Sequence, residues 1–149
     1  MNNKLKKELE EVKELLYFCE ADNNLEKAET LLKQIAEAAD DTSVLAKIYG
    51  MLAQVENYRF EYANESQRLA IAEKGVKLAR QGLEYDDNCV EANSWAASMM
   101  GIHGLEMGIL SSLFYLRPIK EHADKALLLR KSVWCGQWQS PRLLSRIPV

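Results

Sequence analysis

The apolar residues of this chain recur at spacings of three and four, the period of a helix with one buried face. The clearest case is a first helix from about Lys4 to Glu20, whose apolar positions are Leu5, Leu9, Val12, Leu15, Leu16 and Cys19. The same spacing predicts a second helix that ends near Asp40, a third from Ser43 to about Ala63 and a fourth that reaches about Tyr85. No stretch alternates with a period of two over the length of a strand. The sequence therefore predicts an all-α fold.

Asparagine residues mark the expected starts of three helices. An Asn followed three residues later by Glu or Gln is the pattern of a capping box. It occurs at Asn23 with Glu26, at Asn64 with Gln67 and at Asn88 with Glu91. We expect the second, fourth and fifth helices to begin at these positions.

The end of the chain is less regular. The fifth helix loses its pattern around Gly101, Gly104 and Gly108. Pro118 suits the first turn of a short sixth helix, at about 118–129, because a helix start has no bond for the missing proline N–H to break. Ser132 and Ser140-Pro141 are then expected to cap two brief helical turns.

Three similar segments indicate an internal repeat: Glu26–Leu32, Glu73–Ala79 and Asp124–Leu129. Such a period is typical of stacked helical pairs, which bury their apolar faces only against one another. Small residues at corresponding positions, such as Gly50 and Ala97, let a neighbouring helix approach the backbone. The tetratricopeptide pattern predicts one domain, a right-handed superhelical stack of three pairs at about 9–42, 43–89 and 90–131, with a helical cap at 132–149.

The net charge of −3 is unevenly distributed along the chain. Residues 1–42 hold 6 basic and 11 acidic side chains, whereas residues 117–149 hold 7 basic and 2 acidic ones. Ends of opposite sign favour head-to-tail stacking or an acidic partner at the C-terminal end. The alternative is that these charges lie on the solvated faces of separate helices.

Neither a disulfide framework nor a targeting segment is predicted. Cys19, Cys89 and Cys135 are far apart and form no Cys-x-x-Cys pair. Met1–Glu8 has basic residues with no apolar run behind them, unlike a secretory signal. The longest apolar stretch, Leu105–Leu116, spans 12 residues, and a bilayer needs about 20. We expect a soluble, cytoplasmic protein with no membrane span; a periplasmic location would follow if a leader had been removed.

Candidate catalytic and metal-binding residues are few. His103 and Glu106 face the same way on a helix, but no second pair at comparable spacing completes a metal site. Ser111 and Ser112 lack the Gly-x-Ser-x-Gly turn of a hydrolase. The basic residues of the fourth helix are interleaved with acidic ones, which disfavours nucleic-acid binding. The sequence therefore predicts a protein that is not an enzyme and has no cofactor or metal ion.

A peptide groove is the main candidate site. In stacked helical pairs, the first helix of each pair lines a groove that holds an extended peptide. Seven residues are expected to point into it: Lys13, Tyr17, Lys47, Met51, Gln54, Ser94 and Ser98. Their mixture of lysine and aromatic character suits an acidic or C-terminal peptide. The alternative is that the aromatic residues of this region belong to the core.

The C-terminal segment is densely apolar where a solenoid normally ends in a polar capping helix. Its apolar residues are Trp134, Trp138, Leu143, Leu144 and Ile147. Either they fold back to seal the third helical pair, or they form an interface with another subunit in a homo-oligomer.

The second half of the chain resembles a known family. The resemblance is carried by Glu91–Trp95, Gly101–Gly104, Gly108–Phe114 and Ile119–Ala126, and by Gly136–Leu144 in the tail. These segments resemble bacterial tetratricopeptide proteins of the T-component family, periplasmic lipoproteins that accompany tripartite (TRAP) substrate transporters. The regulators of microtubule dynamics share a related tryptophan and a Lys-Glu-His-x-Asp-Lys-Ala pattern.

Two functions follow as expectations. The first is a non-catalytic tetratricopeptide scaffold that mediates contacts between proteins. The second is a helical scaffold for a hydrophobic small molecule or lipid, accessory to a bacterial solute transport system. An apolar tunnel near Trp95, Met99 and Phe114 would favour the second function. A solid core there, with an open polar groove, would favour the first.

Overall fold

All regular elements in the described part of the chain are α-helices. The computed structural model describes residues 3–21 and 23–137, with side chains as far as Lys131. The helices are α1 (Asn3–Tyr17), α2 (Asn24–Ala38), α3 (Thr42–Glu61), α4 (Glu65–Tyr85), α5 (Val90–Met107) and α6 (Ile109–Gln137). The predicted all-α fold is therefore confirmed. The division into three repeats and a cap at 132–149 stays a prediction.

Helix α3 lies at the centre of the packing. It contacts α2, α4 and α5, while α1 packs on α2 and α6 packs on α5. One apolar core joins α1, α2 and α3 through residues such as Val12, Leu32 and Ile48. A second core joins α3, α4 and α5 and includes Val76 and Met99. The apolar stripes read from the sequence are the surfaces that these helices bury.

Glycine allows two helix pairs to approach closely. A Cβ atom on Gly50 would lie 2.7 Å from the backbone nitrogen of Ala92, so α3 and α5 are in contact through their backbones. The close approach predicted at Gly50 is therefore confirmed. A Cβ atom on Gly104 would lie 3.1 Å from the Cα atom of Ser112, where α5 meets α6.

The predicted capping box at Asn23 is wrong. Asn23 has a φ of 58° and its side chain makes no capping bond, whereas an N-cap residue normally has extended dihedrals that aim its side chain at the first turn. Asn24 instead donates from Nδ2 to the carbonyl oxygen of Phe18 at 2.8 Å and closes the turn between α1 and α2. A side-chain cap is found on α3, where the Asp41 carboxylate accepts from the backbone nitrogen of Ser43 at 2.8 Å.

The other two capping boxes are also wrong. Asn64 precedes α4 but makes no side-chain capping bond. The residue before α5 is Cys89, not Asn88, because the backbone nitrogen of Asn88 is bound by the side chain of Asp86 in the preceding turn. Local side-chain bonds compete with one another at helix ends, and the residue pattern does not decide between them.

Helix α6 differs most from expectation. It is one helix from Ile109 to Gln137 with Pro118 in its interior, so the predicted break at Pro118 and the predicted cap at Ser132 are both wrong. The break lies ten residues earlier, at Gly108, whose φ of 99° is accessible to glycine at low cost. Ser140-Pro141 lies outside the described residues.

Candidate functional site

The predicted groove residues fall into three groups. Lys47 and Gln54 on α3 lie beside Ser94 and Ser98 on α5, since these two helices are in contact. Lys13 and Tyr17 lie on α1, and Met51 is in the core. We use the term α3–α5 face for the surface formed by Lys47, Gln54, Asn57 and Tyr58 of α3 and Glu91, Ser94, Trp95 and Ser98 of α5.

Met51 does not belong to the groove. Its side chain is 3% exposed and packs in the core shared by α1, α2 and α3. Met51 lies one helical turn after Lys47, but its side chain is turned into the core and away from the surface. The expectation that Met51 contacts a peptide is therefore wrong.

Tyr17 is separate from the α3–α5 face. Its side chain is 81% exposed, and its ring contacts Phe18 edge-on at a centroid distance of 4.9 Å. The structure therefore does not bring Tyr17 together with the aromatic side chains of α3 and α5.

Both predicted groove lysines are bound to carboxylates. The ammonium nitrogen of Lys13 lies 2.6 Å from Glu10, and that of Lys47 lies 3.0 Å from Glu91. The hydrogen bond from Lys13 lowers the pKa of Glu10. Burial opposes the ionisation of Glu91, but the charge of Lys47 and the hydrogen bonds to the carboxylate, among them one from Lys47, together outweigh burial and lower the pKa of that carboxyl. The site therefore offers no free positive charge from these lysines, and the reason for expecting an acidic peptide is removed.

Uncharged hydrogen-bonding groups form the middle of the α3–α5 face. The hydroxyl of Ser98 donates to Asn57 Oδ1 at 3.4 Å, which links α5 to α3. The amide of Gln54 donates to the hydroxyl of Tyr58 at 3.2 Å. All four side chains are half-buried. Asn57 was not among the predicted residues, although its position three residues after Gln54 was a usable signal.

An aromatic pair borders these polar groups. The rings of Tyr58 and Trp95 lie edge to face at a centroid distance of 6.5 Å, and both side chains are half-buried. Tyr58 therefore connects the aromatic pair to the amide of Gln54. The face combines amides, hydroxyls and half-buried aromatic side chains, which is the chemistry of a surface that binds polypeptide.

The region predicted to form an apolar pocket is divided between core and solvent. Met99 is fully buried, and its side chain fills the space beside Gly75. Phe114, by contrast, is 84% exposed. These two residues therefore do not line one tunnel with Trp95.

His103 has a protein partner. Its Nδ1 lies 2.9 Å from the hydroxyl of Tyr115 on α6. The two side chains border a cleft of about 390 Å³ that is otherwise lined by α4 residues of both charges, among them Lys77, Arg80 and Glu84. Within the described residues, no group of three or more His, Cys, Asp or Glu side chains is placed to hold a metal ion.

A charge cluster around the buried Glu56 was not predicted from the sequence; it consists of Glu29 and Lys33 of α2, Glu56 and Arg59 of α3, and Lys74 of α4. Arg59 donates to Glu56 at 2.6 Å and to Glu29 at 2.7 Å. Lys74 lies 2.6 Å from Glu56, and Lys33 lies 2.8 Å from Glu29. A carboxylate at position 56, directly after the apolar stretch of α3, was the available signal. These bonds join α2, α3 and α4.

Asn93 forms a second buried polar centre. Its side chain is fully buried and donates to the carbonyl oxygens of Asp87 and Cys89 at 2.8 and 2.9 Å. Its Oδ1 lies 2.9 Å from His122 Nδ1, so that nitrogen carries the proton. Asn93 therefore fixes the turn before α5 and ties it to α6.

The residues predicted for an oligomer interface lie outside the part of the chain whose side chains are described. They are the side chain of Trp134 and the whole of Trp138, Leu143, Leu144 and Ile147. Among the described helices, none combines the length and apolar character that a bilayer span requires.

The fold and this face define the class, an all-α stack of helices with a polar interhelical surface. Residues 9–134 match the family described as regulator of microtubule dynamics protein 1-3, and the chain belongs to that family. The comparison with curated proteins and that with solved structures each return no match.

The expected membership of the T-component family is therefore wrong. The tryptophan and the Lys-Glu-His-x-Asp-Lys-Ala motif, at Trp95 and Lys120–Ala126 in this chain, do not separate the two families. The role in a bacterial transport system, which depended on that resemblance, has no further support.

Proposed function

We propose that this chain is a non-catalytic, tetratricopeptide-like scaffold that binds a segment of a partner protein along the α3–α5 face. The observation that carries the proposal is the row of uncharged polar side chains, Gln54, Asn57 and Ser98, beside the Tyr58–Trp95 aromatic pair. The core beneath this row is solid, since Met99 is fully buried.

The chemistry of the row suits an extended polypeptide. Each residue of an extended segment presents a backbone donor and a backbone acceptor. Gln54 and Asn57 carry both kinds of group on one side chain, and Ser98 has a hydroxyl that serves as either. The Lys47–Glu91 ion pair at one end of the face is neutral overall. The proposed partner segment is therefore polar and uncharged rather than acidic.

The family description supplies the partner to test. Because the chain belongs to the regulators of microtubule dynamics, we propose that the polypeptide bound at this face belongs to the microtubule. This proposal places the chain in the cytoplasm, where microtubules assemble.

Co-sedimentation with polymerised tubulin tests the proposal. Wild-type chain at increasing polymer concentration is expected to pellet with the polymer. The Gln54→Lys variant puts a charged side chain in the middle of the polar row, and we expect its affinity to fall by about tenfold or more, since a desolvated, unpaired charge costs upwards of about 1.4 kcal/mol.

Gln34→Lys is the matched control. It makes the same charge change at an exposed position of α2, outside the α3–α5 face. We expect it to bind like the wild type. Equal loss in both variants, or a wild-type chain that stays in the supernatant, would refute binding of microtubules through this face.

A further inference from the structure

The outer face of α6 carries apolar side chains that nothing in the described structure covers. The most exposed are Ile109, Leu110, Leu113, Phe114, Leu116, Leu127 and Leu128, each more than half accessible. Scattered exposed leucines are ordinary, but the largest contiguous apolar patch of a monomer is typically about 300–600 Å² and is often an interaction site. The opposite side of α6 packs on α5 through residues such as Ile119 and Ala126.

Four charges in the middle of this face are arranged symmetrically along the helix. Arg117 and Lys120 are followed by Glu121 and Asp124, and all four side chains are more than half exposed. Two apolar residues, Leu113 and Phe114, precede these charges, and two more, Leu127 and Leu128, follow them at the same separation. The midpoint of the charges and the midpoint of the apolar pairs both fall between residues 120 and 121.

We propose that α6 is the contact surface between two copies of this chain, packed antiparallel about the midpoint between residues 120 and 121. In this arrangement Arg117 of one copy faces Asp124 of the second copy, and the symmetry forms the contact twice. The apolar pair at 113–114 meets the apolar pair at 127–128 of the second copy. The polar centre sets the register, and the apolar ends supply the buried area.

The charge order selects the antiparallel direction. A parallel pair in register would place Arg117 beside Arg117 of the second copy and Asp124 beside Asp124, which is repulsive. Within one chain, Arg117 is bound to Glu121 and Lys120 to Asp124, one helical turn apart. Arg117 and Asp124 are seven residues apart, about 10 Å along the helix, and do not pair with each other in one chain.

Light scattering on the full chain, combined with single charge reversals, tests the proposal. Wild-type chain at tens of micromolar is expected to show twice the 17.0 kDa mass of one chain. Arg117→Glu and Asp124→Arg each turn two attractive contacts into repulsive ones, and we expect the dissociation constant of each to rise by about a hundredfold or more. Both residues are exposed, so circular dichroism should show unchanged helix content.

The decisive measurement is light scattering on a mixture of the two variants. In a mixed dimer, Glu at position 117 of one variant faces Arg at position 124 of the other, and the remaining Asp124 and Arg117 also face each other. Two variants that are monomeric alone should therefore form a dimer together. A monomeric wild type would overturn the proposal. A dimer that neither variant weakens, or a mixture that stays monomeric, would overturn it as well.

Discussion

Glu56 is 1% exposed, and its carboxylate lies 2.6 Å from the ammonium group of Lys74. Glu56 is in α3 and Lys74 is in α4, so the ion pair joins two helices that pack against each other. A buried carboxylate is stable only when its charge is compensated, and here Arg59 completes the compensation at 2.6 Å.

Replacing Glu56 by Gln should strongly destabilise the protein. The substitution keeps the shape of the side chain but leaves Lys74 without its 2.6 Å carboxylate partner. We expect the free energy of unfolding to fall by about 1.5–3 kcal/mol, the usual contribution of a hydrogen bond to a charged group, because Lys74 is half exposed and is not left as a buried charge. Urea denaturation at pH 7 measures it. Glu10→Gln breaks the exposed pair with Lys13 and should cost far less; equal losses would contradict the buried role of Glu56.

Glu29 should make stability depend on pH in the acid range. Burial opposes its ionisation, but hydrogen bonds from Lys33 and Arg59 outweigh that effect and lower the pKa from 4.5 to about 2. Because the unfolded chain binds this proton at higher pH than the folded one, the stabilisation is complete above pH 4.5 and is lost as the pH falls towards 2.

Urea denaturation between pH 6 and pH 2.5 tests this dependence. The Glu29→Gln variant should show a shallower loss of stability below pH 4.5 than the wild type. Glu37→Gln changes an exposed glutamate of the same helix and serves as the control. Identical slopes for wild type and Glu29→Gln would contradict the assignment.

Protonation of His122 should lower the stability of the fold at higher pH than protonation of Glu29 does. Burial lowers its pKa below 6.5, and Lys125 and Arg80 lower it further against the opposing charge of Glu121. The unfolded chain therefore binds the proton first, and stability should decrease as the pH falls below 6.5. NMR titration of the imidazole measures the pKa directly, and a value at or above 6.5 would disagree with the burial of His122.

Two glycine substitutions should have opposite effects on stability. Gly50→Ala would place a Cβ atom 2.7 Å from the backbone of Ala92 and force α3 and α5 apart. We expect a loss of about 1–3 kcal/mol, as for other overpacked sites. The nearest atom to a Cβ on Gly101 is 4.0 Å away, so an alanine fits there. Because alanine favours the helix over glycine, Gly101→Ala should stabilise the protein by about 0.5–1 kcal/mol. Thermal unfolding measures both effects: the melting temperature should fall for Gly50→Ala and rise for Gly101→Ala, and a change of the same sign in both variants would contradict the prediction.

The sequence predicted the helices whose apolar residues are buried on one face. Leu9 and Val12 in α1 and Leu32 and Ile35 in α2 are buried as their spacing required, because an amphipathic stripe leaves only one face for the core. The small residue at Gly50 was likewise a readable sign of close helix contact.

What the sequence did not predict depends on contacts between distant residues. No local pattern predicts that the charged residue Glu56 is buried. Lys74 and Arg59 compensate its charge, and only the packing of α4 on α3 brings Lys74 there. The neutral character of the α3–α5 face has the same origin, since Glu91 reaches Lys47 from another helix. At Pro118, the tertiary packing of α6 on α5 overrides a local helix-breaking tendency.

Photo-cross-linking from the α3–α5 face shows directly whether this face contacts microtubules. A benzophenone side chain replaces Gln54 in one variant and Gln34 on α2 in a second, and each is irradiated with polymerised tubulin. We expect a covalent tubulin adduct from position 54 and none from position 34. An adduct from position 34 alone, equal adducts from both positions or no adduct from position 54 would contradict it.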